Sequence, residues 1–222
     1  MEDFDGPHTG FTHNRHWWDW ASHDDHNKWV TGSRPPGDYD RAGWECALQL
    51  ISLCPNYRDL HLLEWGCGSG RVTQYLAYLF RHVLAVDIAP SMLERVQQRA
   101  LPNLALHLTR GSDLPPNAVI DVAYSYTCWF HNLKSDLIPI LQACRRTLRT
   151  GGRLLFQLPV YEVSRDPRSF QDIACWTPDE CDELAKATGF RIVRLCTNSG
   201  AFRYDRIGPH HYDLHEWHPV VG

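Results

Sequence analysis

Leu62-Leu63-Glu64-Trp65-Gly66-Cys67-Gly68-Ser69-Gly70-Arg71 decides the fold of this chain. A largely apolar run from Leu60 to Leu63 ends in an acid, three glycines follow at alternate positions, and a helical pattern begins at Arg71. That order is a strand, a tight turn and a helix. Alternate glycines permit φ > 0 and remove the Cβ atoms that would hold a ligand away from the main chain. The helix behind them aims unpaired N–H groups, and the positive end of its dipole, at that ligand. Twenty-three positions after Glu64, a second apolar run, Val83-Leu84-Ala85-Val86, ends in Asp87. An acid at that spacing, on the tip of the second strand, is placed to bind both hydroxyls of a ribose.

Two ligand types suit such a loop. A dinucleotide-binding fingerprint asks for Gly-x-Gly-x-x-Gly. Gly66 and Gly68 fit it, but its third position is Arg71 and the extra glycine is Gly70. The other pattern is Gly-x-Gly-x-Gly with an acid two residues before the first glycine. It resembles motif I of the class I S-adenosylmethionine-dependent methyltransferases, whose carrier has no pyrophosphate.

The segments after Asp87 keep the order of that family. Ser91 and Glu94 make a capping-box pattern, so a second helix is expected to start there. Leu104 to Leu108 reads as a third strand, followed by Gly111-Ser112-Asp113-Leu114. Asp121 to Tyr126 reads as a fourth, followed by Trp129-Phe130-His131. A helix from about Ser135 to Leu148 leads into a Thr150-Gly151-Gly152 turn and a fifth strand. The resemblance runs from about Arg41 to Arg206, with Thr150 where the family often has proline and Arg110 where many members carry an acid. Strands alternating with helices predict a doubly wound, mostly parallel α/β sheet covered on both faces. Thr177, Pro178 and Glu180 mark a helix start and Gly189 its end. Arg191 to Cys196 reads as a strand and Ala201 to Arg206 as a shorter one. The resemblance implies a Rossmann-like seven-stranded sheet in the order 3-2-1-4-5-7-6, its last two strands a hairpin.

It also implies S-adenosyl-L-methionine as cofactor and assigns its contacts. Glu64 orients the loop or the methionine ammonium, and Gly66, Cys67, Gly68 and Gly70 form the main-chain cradle. Asp87 holds the ribose, with Ile88 or Met92 against the adenine. Gly111, Ser112 and Asp113 line the adenine edge, and Ser125 and Tyr126 the methionine side. His131 is the candidate base, needed only if the nucleophile arrives protonated. Trp17, Trp18, Trp129 and Tyr161 would wall an aromatic or cationic acceptor.

Both ends of the chain differ from its middle. Residues 1–40 are rich in tryptophan and histidine and poor in Leu, Ile and Val, so they cannot form a core alone. They read as a lid over the carboxyl ends of the strands, ahead of a methyltransferase domain at 41–208. Residues 209–222 read as a solvated or partly docked tail. His211 and His215 are four apart, but no cysteine or Glu-x-x-His framework supports a metal site, and none is expected.

At 222 residues the chain has the size of one domain. With a net charge of −4 and no basic run, nucleic acid is not an expected partner, and no apolar stretch has the length of a membrane span. The N-terminus lacks a signal pattern. None of the eight cysteines forms a Cys-x-x-Cys pair, which fits reduced, buried thiols and a cytoplasmic setting. The expected function is methyl transfer to a small molecule, of secondary metabolism, with a homodimer left open. A nucleotide-cofactor oxidoreductase and a non-catalytic S-adenosylmethionine-binding scaffold or sensor are the alternatives.

Overall fold

The computed structural model describes residues 10–23, 36–168, 172–196 and 212–220. Helices α1 (Phe11–His23) and α2 (Pro36–Leu53) precede an alternating series. It runs β1 (His61–Trp65), α3 (Thr73–Leu79), β2 (His82–Asp87), α4 (Pro90–Gln97), β3 (Leu104–Leu108), β4 (Ile120–Ser125) and α5 (Lys134–Thr147). It ends with β5 (Leu148–Pro159), α6 (Pro178–Thr188), β6 (Phe190–Cys196) and β7 (Tyr212–Pro219). The strands form one sheet in the order 3-2-1-4-5-7-6, as expected. β1 to β5 pair in parallel, and β7 runs antiparallel between β5 and β6.

Parallel neighbours need crossover helices, and those helices bury both faces of the sheet. Successive side chains therefore enter different cores. Leu62, Val83, Ala85 and Leu155 meet Cys46, Leu50, Leu76 and Val96 of α2, α3 and α4 on one face. Leu63, Val86, Leu154 and Phe156 meet Leu137, Ile140, Leu141 and Leu184 of α5 and α6 on the other. The covering helices change face between β1 and β4. A cleft opens at the carboxyl ends of those two strands, where such sheets place their ligands.

Helix α6 starts as its sequence implies. Thr177 accepts the Glu180 N–H, Glu180 accepts the Thr177 N–H at 2.9 Å, and Gly189 closes the helix at φ 77°. Helix α4 does not. It starts at Pro90, with Ala89 at the cap position and no side chain there to offer an acceptor. The cap comes instead from α1, where Asp19 Oδ1 accepts the Ser91 N–H at 3.1 Å. The Ser91 hydroxyl also donates to Asp19, and the Arg95 guanidinium donates to the Ser22 carbonyl. A local capping box gave way to a cap from a distant helix, because the Asp19 carboxylate reaches the same orphan donor.

The end of the chain corrects a second expectation. The segment read as a tail at 209–222 supplies an inner strand, Tyr212–Pro219, flanked by β5 and β6. Leu214, His215 and Trp217 are buried there. The His215 ring stacks on Phe156 with centroids 5.0 Å apart, and burial pushes its imidazole down to about 3. Its neutral form behaves as a flat aromatic, which is why a histidine-rich segment can enter a core. His211 and the stretch Ala201 to Arg206 lie outside the described residues.

Candidate active site

The three glycines of the first loop are small for different reasons. All have positive φ: 79° at Gly66, 53° at Gly68 and 85° at Gly70. A Cβ on Gly66 would stand 2.2 Å from Cys128 Sγ, and one on Gly70 would stand 3.0 Å from Val96 of α4. A Cβ on Gly68 would meet no atom within 4 Å. Packing demands the first and third glycines, whereas the second faces open space.

Two carboxyl groups look into that space from adjacent strands. Asp87, at the tip of β2, accepts the Gly68 N–H at 2.7 Å through Oδ2 and the Ala89 N–H at 2.9 Å through Oδ1. Burial raises its carboxyl, opposed by the N–H groups of Ala89, Gly68 and Ile88. Glu64, in β1, is 4% exposed, and its Oε2 accepts no hydrogen bond from the described residues. Burial pushes the Glu64 carboxyl up to about 8, with the Thr73 hydroxyl and the Arg71 guanidinium favouring the charged form and Asp87 opposing it. A cationic ligand entering this cleft would stabilise both carboxylates and meet a backbone with no side chain in its way.

The cavity at the cleft holds about 1040 Å³ of empty space, its open mouth included. The rest of the lining includes a wall of amides and rings. Phe11, Asn14 and Trp18 of α1 form part of it, and Thr127, Cys128, His131, Asn132 and Ile140 form the rest. The Phe11 ring lies against Gly111, where a Cβ would come within 2.4 Å of it. Trp18 meets the His131 ring edge-on at 5.6 Å. Thr127 has φ 52°, a conformation that costs a β-branched residue about 1–3 kcal/mol and that clusters at ligand sites.

Comparison with known proteins gives this geometry a family. A model described as a methyltransferase domain matches residues 62–152. A probable S-adenosylmethionine-dependent methyltransferase of Mycobacterium tuberculosis is 28% identical over 189 residues, covering 80% of this chain and 66% of that protein. Residues 62–152 thus match a methyltransferase domain, and the chain is similar to S-adenosylmethionine-dependent methyltransferases. A malonyl-[acyl-carrier protein] O-methyltransferase of Serratia marcescens is 33% identical over 135 residues, covering 56% of the chain and 49% of that protein. The chain thus spans about half to two thirds of the length of these curated relatives. Among solved structures, the fold matches a Burkholderia thailandensis 1,6-didemethyltoxoflavin-N1-methyltransferase with a TM-score of 0.70. That match is 21% identical and covers 94% of this chain and 88% of the other.

Within this methyltransferase fold, eleven of the residues singled out from sequence line the cavity: Glu64, Gly66, Cys67, Gly68, Asp87, Ile88, Met92, Gly111, Tyr126, Trp18 and His131. Seven do not. Gly70 packs on α4. Asp113 braces its own loop, accepting the Arg110 N–H and the Thr109 hydroxyl, with Ser112 beside it outside the lining. Ser125 donates to the Trp65 carbonyl at 3.0 Å and is buried. Trp129 is buried between Trp65 and Phe156 in the core, and Tyr161 packs on the edge of the same core. Trp17 faces Ala21 and supports Trp18 from behind, with centroids 4.9 Å apart. Phe11, Asn14, Thr127, Cys128 and Asn132 went unrecognised. No local spacing marks the meeting, because Phe11 and Asn14 reach Thr127, Cys128 and Asn132 of the turn after β4 only when α1 docks. His8, His26 and Trp29 lie outside the described residues.

Proposed function

We propose that this chain transfers a methyl group from S-adenosylmethionine to a small-molecule acceptor. The observation that carries the reading is the pair of buried carboxyls, Glu64 and Asp87, around a glycine whose missing side chain leaves space rather than contact. The residues fit the cofactor: Asp87 would accept from the ribose hydroxyls, Glu64 from the methionine ammonium, and Gly68 would let the chain of the ligand lie on the backbone. Ile88 and Met92 would take the adenine face. When bound, the sulfonium supplies a methyl group already activated for in-line attack.

The remaining work falls to the wall of amides and rings. Positioning a nucleophile in line accounts for much of the acceleration in such transfers. Trp18 and Phe11 would exclude water and orient the acceptor. His131 would take the proton of an acceptor that arrives protonated. Support for a small acceptor comes from the cavity's size and from the Burkholderia enzyme, whose structure holds 1,6-didemethyltoxoflavin together with S-adenosylhomocysteine. A setting in cytoplasmic secondary metabolism belongs to the same proposal. No helix among the described residues is long and apolar enough to cross a membrane.

Calorimetry with S-adenosylhomocysteine tests the cofactor half, and saturable binding is expected. Methyl transfer from labelled S-adenosylmethionine to a panel of phenols, amines, carboxylic acids and thiols tests the rest. His131→Ala should lower turnover about 100- to 10,000-fold with cofactor affinity unchanged. Saturable binding with no transfer to any acceptor class would favour the scaffold or sensor reading.

A further inference from the structure

We propose that Asn14 is a positioning residue that sets where the His131 imidazole stands. The assignment deepens the proposed function, because it rests on His131 as the acceptor-side base. Asn132, which directly follows His131, donates from its amide nitrogen to the Cys128 and Trp129 carbonyls at 3.3 and 3.2 Å. Two carbonyl acceptors on one side admit only the nitrogen there, so Asn132 Oδ1 is left as an acceptor. Asn14 Nδ2 donates to that oxygen at 2.9 Å and to the His131 carbonyl at 3.3 Å. The chain of amides therefore runs one way, from α1 into the turn, and it grips the main chain of His131 itself.

Both amides are shielded, at 3% and 7% exposure, so water does not readily replace a lost donor. One helical turn beyond Asn14, on the same face of α1, Trp18 places its edge against the His131 ring. Asn14 holds the backbone of His131 and Trp18 holds its ring. An aspartate at position 14 would have the same shape, yet its carboxylate would donate to neither acceptor.

The test compares Asn14→Ala and Asn14→Asp with the unaltered chain by NMR of the His131 Cε1–H resonance, identified through His131→Gln. Calorimetry with S-adenosylhomocysteine runs alongside. Both variants should shift that resonance at pH 7.5 and abolish its cross-peak to Trp18. A carboxyl at position 14 must bind a proton before it can donate to Asn132 Oδ1. Asn14→Asp should therefore regain the signal of the unaltered chain, compared at the same pH, as the solution is acidified, and Asn14→Ala should not. The other titratable groups nearby are common to both variants: His13 beside position 14, Cys128 and His131 of the turn, Asp136 beside Gly10, and Glu64 and Asp87 of the cavity lining. The aspartate variant, read at low pH, carries the test even if the alanine variant fails to fold. Asp19→Ala loosens the far end of α1 and should leave the resonance in place.

An unmoved His131 resonance in Asn14→Asp at pH 7.5, or no recovery on acidification, would overturn the assignment. So would an equal shift in Asp19→Ala, since any loosening of α1 would then suffice. Cofactor affinity should stay within about threefold in every variant. If the unaltered chain bound no S-adenosylhomocysteine, the cofactor reading would fall while the resonance still judged Asn14.

Discussion

The two walls of the cavity differ in origin and in what they carry. The wall proposed for the cofactor is local: Glu64, Gly66, Gly68, Asp87, Ile88 and Met92 all fall within one strand–helix–strand unit and the helix start behind it. It holds two buried carboxyls. The opposite wall is built from afar, with Asn14 and His131 meeting across 117 positions. It holds amides and rings. A short motif thus supplies the two carboxyls of the cavity, whereas the half proposed to meet the acceptor depends on the docking of a separate helix.

The largest expected effect tests the buried charge of the local wall. The Glu64 carboxyl has a native value of about 8 against an ordinary 4.5. Its protonated form favours the native state, so its contribution is complete below about pH 4.5 and is lost as pH rises through about 8. Urea unfolding of Glu64→Gln should lack that loss and exceed the unaltered chain at pH 8.5 by on the order of a few kcal/mol. Equal pH slopes in the two proteins would mean that the Glu64 carboxyl does not hold its proton in the native state.

Next in size is Asp87→Asn, which keeps the side chain's shape and one acceptor. Loss of a charge-assisted pair of ribose hydrogen bonds should weaken S-adenosylhomocysteine about 100-fold by calorimetry. Unchanged affinity would break the assignment of Asp87 to the ribose.

The smallest effect separates packing glycines from the ligand-facing one. Gly66→Ala collides with Cys128 and should cost about 1–3 kcal/mol of stability in thermal unfolding, partly restored by adding Cys128→Gly. Gly68→Ala should cost about 1–2 kcal/mol from its left-handed backbone alone, yet weaken S-adenosylhomocysteine by more than Gly66→Ala paired with Cys128→Gly does. The reverse ranking would show that the open side of Gly68 is not where the ligand lies.

The legible parts of the molecule are those in which sequence neighbours are also spatial neighbours. The glycine loop, Asp87 and the Thr177 cap belong to that class, because strand–turn–helix geometry places them within a few residues of their partners. Ser91 shows the limit of local reading. Its capping pattern with Glu94 is sound as a pattern, but Asp19 of α1 supplies the acceptor. Trp129 and Tyr161 have the aromatic character of an acceptor wall, but the turn after β4 directs Trp129 into the core and Tyr161 packs at its edge. Histidine-rich residues 210–218 suggested a solvated or partly docked tail, because composition does not show that β5 and β6 leave a slot for one more strand.

The amino-acid order alone determined an alternating α/β sheet, a glycine loop between β1 and α3, and a carboxylate on the next strand. It does so because periodicity, turn residues and short spacings act within one or two elements. Tertiary structure alone decided which rings face the cavity, that the last strand is an inner one, and that Asn14 reaches the turn bearing His131. Those outcomes depend on how separate elements dock, and docking is set by the summed burial of many side chains, which no single stretch of sequence displays.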